Sequence, residues 1–148
     1  MRRTPVTSDT IPAAAAWLGY AGIIPFALLA VFHVLGLTPG GIEPLNGFLI
    51  YSAVILSFLG GIRWGALARS NTIHMTGLIM SVLPSLWALF VVWLAPAGLA
   101  VWLMAAGYAF MGILDCGWPA NGIAPWMRRL RARLSVAVVA CHLVVALA

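Results

Sequence analysis

Leu56-Ser57-Phe58-Leu59-Gly60-Gly61-Ile62-Arg63-Trp64-Gly65 closes an apolar run that begins near Leu45. The reading of this run decides the fold. A guanidinium cannot lose its proton, so an arginine lying in lipid must find partners. In a soluble helix the same residue would only need water. Composition chooses between the two. Hydrophobic residues make up 64% of the 148 residues and charged residues 7%. Soluble chains run near one half and one quarter. A single soluble core of this size could not hide so much apolar surface. The run is therefore read as a membrane span, with lipid as its solvent.

Working outward, the chain divides into five apolar stretches, at about 13–36, 45–68, 73–94, 97–116 and 131–148. Each of the first four reaches the ~20 residues that a spanning helix needs. The fifth is short, because its apolar part runs only from Leu134 to Ala148. Arg131 and Arg133 could snorkel to lengthen it. A half-span and a helix lying against the bundle are the other readings of this segment. Proline and glycine punctuate the connections, as at Thr38-Pro39-Gly40-Gly41, Ala95-Pro96-Ala97-Gly98 and Gly117-Trp118-Pro119-Ala120-Asn121-Gly122. Arg69-Ser70-Asn71 breaks the second hairpin. The expectation is one all-α domain, a bundle of five transmembrane helices. The polar start with Arg2 and Arg3 leads into an uncleaved first span rather than a signal peptide.

All eight basic residues are arginine, and the net charge is +5. In a soluble domain that balance would raise nucleic-acid binding. Here it is read as an orientation signal, with no nucleic acid as partner. Arg2 and Arg3, then Arg63 and Arg69, then Arg128, Arg129, Arg131 and Arg133 fall in alternate connecting regions. The positive-inside rule then puts the N-terminus in the cytoplasm and the C-terminus in the periplasm. In a mitochondrion the matrix takes the cytoplasmic place. The expected site is a bacterial inner membrane, or the mitochondrial one.

Arg63 lies about 18 residues into the second span, roughly 27 Å along a helix rising about 1.5 Å per residue. Asp115 lies as far into the fourth span, which runs the same way. The two therefore share a depth and are expected to pair. The pair is read first as a helix lock and second as a ligand site. Loss of Arg63 should lower folded protein, and exchanging the two residues should partly restore it. Ala53, Ser57, Gly61 and Gly65 recur every fourth residue, a spacing that lets helix backbones approach closely. Internal packing is the first reading of this stripe, and contact with another copy or subunit the second. Gly77, Ser81 and Ser85 repeat the device on the third span. Pro84 and Pro25 are read as shape features that remove backbone donors. The Ser81 and Ser85 hydroxyls could satisfy a carbonyl that Pro84 frees.

His33, His74 and His142 share no convincing depth, so no haem or metal site is expected. Cys116 and Cys141 suit packing better than a disulfide framework. Trp64, Trp118 and Trp126 near one boundary, with Trp93 near the other, form an interfacial belt. With Trp64 and Trp126, the side chains Arg128, Arg129, Arg131 and Arg133 are read as interfacial anchors drawn to anionic lipid. Pro125 to Leu130 could form an amphipathic start of the fifth helix at the membrane surface.

The Leu56 to Gly65 stretch resembles the signature of a small membrane family, domain of unknown function 3429, which includes transmembrane-protein-69-like proteins. Trp17-Leu18-Gly19-Tyr20-Ala21-Gly22-Ile23-Ile24-Pro25-Phe26 and Ser81-Val82-Leu83-Pro84-Ser85 are similar too. Pro125-Trp126-Met127-Arg128-Arg129-Leu130-Arg131 also looks like the family, with Met127 where an aromatic residue is expected. The resemblance covers nearly the whole chain. It implies an inner-membrane protein of this topology and supplies no catalytic residues.

Function is weighed on what the spans carry. Catalysis needs acids, bases or metal ligands clustered at one depth. Asp9, Glu43 and Asp115 are the acidic residues, and only Asp115 is membrane-embedded. The expectation is no enzyme, no catalytic residues and no cofactor. The leading reading is an accessory subunit or assembly factor of a larger membrane complex, for instance a respiratory one. Its partners would be membrane lipids and other membrane subunits. A small carrier or channel with a polar cavity near Arg63, Asp115, Ser81 and Ser85 is the second reading. A lipid- or quinone-binding groove is the third.

Overall fold

The computed structural model describes residues 10–69, 74–117 and 123–148. Among these residues every regular element is helical. The order is α1 (Ala13–Ala21), α2 (Ile24–Val34), a 3-10 turn (Pro39–Gly41), α3 (Pro44–Ala68), α4 (Met75–Leu94), α5 (Ala97–Gly117) and α6 (Pro125–Leu147). With α1 and α2 counted as one stretch, five helices are long and apolar enough to cross a membrane. The expectations for the 70–73 part of the second connection, and for Trp118 to Gly122 with the Arg2 and Arg3 tail, lie outside the described residues.

Two spans differ from the sequence reading. The first is not one helix over 13–36 but two, broken at Gly22 and Ile23. Pro25 has no N–H, so the helical bond back to Ala21 cannot form. The chain tightens instead, with the Ile23 N–H donating to the Tyr20 carbonyl at 3.0 Å. The Tyr51 hydroxyl on α3 donates to the Gly22 carbonyl at 2.9 Å, which ties this break to the bundle. The fifth span is not short. Its helix begins at Pro125, six positions before Arg131, and has 23 residues. Proline suits the first turn of a helix, where its missing donor would have had no partner. The length problem met by snorkelling therefore disappears.

Packing follows from which faces are buried. α3 touches α2, α4 and α5, while α6 touches α5, α2 and α1. Helices α2, α3, α5 and α6 thus surround a common interior, and α4 lies outside against α3 and α5. The core is built from Phe26, Phe48, Leu56, Val101, Met104, Tyr108, Met111 and Val138. α1 buries none of its residues. Large apolar side chains such as Trp17, Leu18, Trp93 and Ile113 face outward. That is the expected surface of a helix bundle whose solvent is hydrocarbon.

The glycine end of the small-residue stripe on α3 is not where the described helices meet, whereas Ala53 packs against the core. Around Gly61 and Gly65 no atom of the described structure lies within 4 Å of an added Cβ, and both are exposed. Ala53 and Ser57 are half-buried. The close approach is at Gly60, where an added Cβ would collide with the Ser81 carbonyl oxygen and meet Pro84 Cγ at 3.5 Å. Gly60 lies 100° around the helix from Gly61 and shares a face with Leu56, Arg63 and Leu67. Gly77 does lie against α3, with Leu67 Cδ1 3.1 Å from its added Cβ. Ser81 is buried and Ser85 half-buried. The Ser81 hydroxyl donates to the Leu78 carbonyl at 2.6 Å, not to the Met80 carbonyl that Pro84 frees. Sequence reasoning missed Gly60 because two adjacent glycines offer two faces, and tertiary register chooses between them.

Candidate functional site

The buried polar side chains gather in two tiers. The first is at the Arg63 end of the bundle. Arg63 on α3, Asp115 on α5 and Arg131 on α6 are 2%, 1% and 3% exposed. Arg63 Nη1 donates to Asp115 Oδ1 at 3.2 Å. Arg131 Nε donates to Asp115 Oδ2 at 2.7 Å. Each carboxylate oxygen therefore takes one arginine. Arg131 Nη1 also donates to the Leu59 carbonyl of α3 at 3.2 Å. A helical carbonyl has a second lone pair and can accept this extra donor.

Arg131 was expected as an interfacial anchor, and the structure corrects that reading. Starting α6 at Pro125 carries Arg131 about 9 Å into the helix, so its guanidinium meets Asp115 rather than the surface. Arg128 is half-buried, and its Nε donates to the Asp115 backbone carbonyl at 3.2 Å. Asp115 lies in the last turn of α5, where carbonyls lack intrahelical donors and the helix dipole favours cations. Arg128 therefore caps α5. Arg129, Arg133 and Trp64 are exposed, and Trp126 is half-buried.

Among the described residues the tier joins two arginines through one aspartate. Buried ion pairs gain little net stability over a well-packed apolar replacement, yet removing one partner costs about 3–5 kcal/mol. The cluster thus ties α3, α5 and α6 together at one depth. Arg131 Nη2 is buried and has no hydrogen-bond partner among the described residues.

The second tier lies about 16 Å away. The same interval of eleven positions separates Ser52 from Arg63 on α3 and Arg131 from His142 on α6. Here Ser52 Oγ and His142 Nε2 are 2.8 Å apart. His142 Nδ1 is 2.8 Å from the Val138 carbonyl. A carbonyl only accepts, so Nδ1 carries the proton. Nε2 of the neutral ring then accepts from the Ser52 hydroxyl. The Tyr108 hydroxyl donates to the Ser52 carbonyl at 2.8 Å. Phe26, Phe48 and Tyr108 surround the imidazole, with ring centroids 5.8, 4.7 and 5.3 Å away. The ring is a fully satisfied core residue. Ser52 was not singled out in the sequence. Equal helical intervals to the Arg63 tier were the signal that could have found it.

Leu56, Met111 and Val138 fill the space between the tiers and are buried. Among the described residues no group of three His, Cys, Asp or Glu side chains could hold a metal. Cys116 is exposed and Cys141 half-buried, both as free thiols. A groove of about 420 Å³ runs between α1, α2, α3 and α6. Its walls are apolar, from Leu18 and Ile55 to Leu134, and Arg131 lies along it with Trp126 and Met127.

The family described as protein of unknown function (DUF3429) matches residues 11–147. The chain belongs to that family. The match takes in all five apolar helices and both polar tiers of this DUF3429 member. No curated protein and no solved structure matches the chain.

Proposed function

We propose that this DUF3429 member is an accessory subunit or assembly factor of a larger inner-membrane complex, and not an enzyme. The observation that carries the reading is the closure of its polar interior. In both tiers the polar side chains bond one another and helix carbonyls, and buried Leu56 and Met111 separate the tiers. A carrier or channel needs a wetted polar path, so this packing weighs against that second reading. The surfaces left over are apolar and helical. α1 buries nothing, and Gly61 and Gly65 on α3 face outward. Small residues on an outward face allow close approach by a further helix.

The reading includes an orientation, with the N-terminus cytoplasmic and the C-terminus periplasmic. Arg69, Arg128, Arg129 and Arg133 at one end of the bundle support it through the positive-inside rule. Purification in mild detergent followed by mass spectrometry tests the function. Much larger proteins should recur at fixed stoichiometry. A chain that runs alone, or only with copies of itself, would refute the proposal.

A further inference from the structure

Beyond a subunit role, we infer that the groove between α1, α2, α3 and α6 holds one anionic phospholipid, with its phosphate at Arg131. The groove's position argues first. Along α6 it extends from Trp126 to Val138, about 18 Å by helical rise. It runs from the basic end of the bundle toward the middle of the helices. Its long walls are apolar and suit an acyl chain. Trp126 stands at the basic end and Arg131 about 7.5 Å further in, with apolar wall beyond it, so an amphipathic occupant would bring its head group in past Trp126.

Charge argues second. Among the described residues, Asp115 is the acidic side chain that Arg63 and Arg131 share. Arg131 spends Nε on Asp115 and Nη1 on the Leu59 carbonyl. Nη2 remains buried without a partner among the described residues. A guanidinium nitrogen in that state is costly, because it has lost water without gaining an acceptor. A phosphate oxygen is the acceptor that a guanidinium fork matches best. A zwitterionic lipid brings its own cation into the same space and gains less. Arg131 has to turn toward the groove for Nη2 to meet the phosphate, and its neighbours Met127 and Trp126 are half-buried.

Native mass spectrometry of the full chain in mild detergent tests this, with phosphatidylglycerol or phosphatidylcholine added at equal concentration. The intact protein should retain the anionic lipid with about tenfold preference, the size that one charge-assisted hydrogen bond supplies. Arg131→Lys keeps the charge opposite Asp115 and loses the fork, so most of that preference should vanish. Ala15→Trp fills the groove from α1 without touching the ion cluster, and should abolish retention of both lipids. Thermal melts report whether each variant folds. Equal retention of the two lipids by the intact protein would overturn the inference. So would undiminished retention in folded Ala15→Trp, or a groove occupied by a helix of a second copy. If Arg131→Lys does not fold, Ala15→Trp and the lipid comparison still decide.

Discussion

Asp115 is the residue on which the bundle's charge turns. It serves both guanidinium groups, so its loss differs in kind from the loss of either arginine. Asp115→Asn leaves two buried cations facing one another. Arg63→Gln or Arg131→Gln leaves a neutral pair. Asp115→Asn should therefore cost about 3–5 kcal/mol and exceed either arginine change. Denaturation of the purified protein in detergent ranks the three. An order in which Arg63→Gln is the most damaging would contradict the shared carboxylate. The third member also alters the exchange experiment. Arg63→Asp combined with Asp115→Arg puts a cation beside Arg131, so the partial rescue expected for an isolated pair should fail. His142 gives a second prediction at this scale. Nitrogen NMR of the ring should show the Nδ1–H tautomer. Ser52→Ala should cost about 1–3 kcal/mol, because it leaves a buried Nε2 without its donor.

Element by element, the α3–α4 contact depends on one missing Cβ. Gly60→Ala should push α4 away from α3 and destabilise by about 1–3 kcal/mol. Gly61→Ala, one position along, should be neutral or mildly stabilising, since alanine is the better helix former by ~1 kcal/mol. Thermal melts of the two variants check this, and equal losses would refute the assignment. These adjacent positions also show what sequence could reveal. Counting residues along two parallel spans was enough to bring Arg63 and Asp115 to one depth, because helical rise is nearly constant. Which glycine meets which helix depends on rotation about the axis. No property of Gly60 or Gly61 alone sets that rotation. Arg131 was misread for a nearer reason. Snorkelling is the default for an arginine at a span end, and Pro125 moved that end.

At the scale of the molecule, the fold was legible because lipid imposes one rule on every segment. Backbone polar groups must be satisfied inside the helix, so apolar length predicts spans. Five crossings would put the two ends of the described chain on opposite faces of the membrane. Reporter fusions after Leu147 and before Ala13 should therefore give opposite signals, with the C-terminal one periplasmic in the proposed orientation. Signals of the same kind at both ends would reduce the number of crossings. The shape of the groove was not legible. It depends on how α1 is set against α6 across the break at Gly22 and Ile23, and neither residue announces that angle.

The carboxylate shared between α3, α5 and α6 has a consequence for synthesis. The chain emerges N-terminus first, at about 5–20 residues per second. Arg63 and Asp115 are therefore both made before Arg131. For about a second or more, by the same rate, they can neutralise one another as a two-member pair. α6 then arrives with a cation that Asp115 receives. The last helix is recognised by a partner already half occupied, so a nascent chain halted before α6 should leave its earlier spans assembled but unlocked.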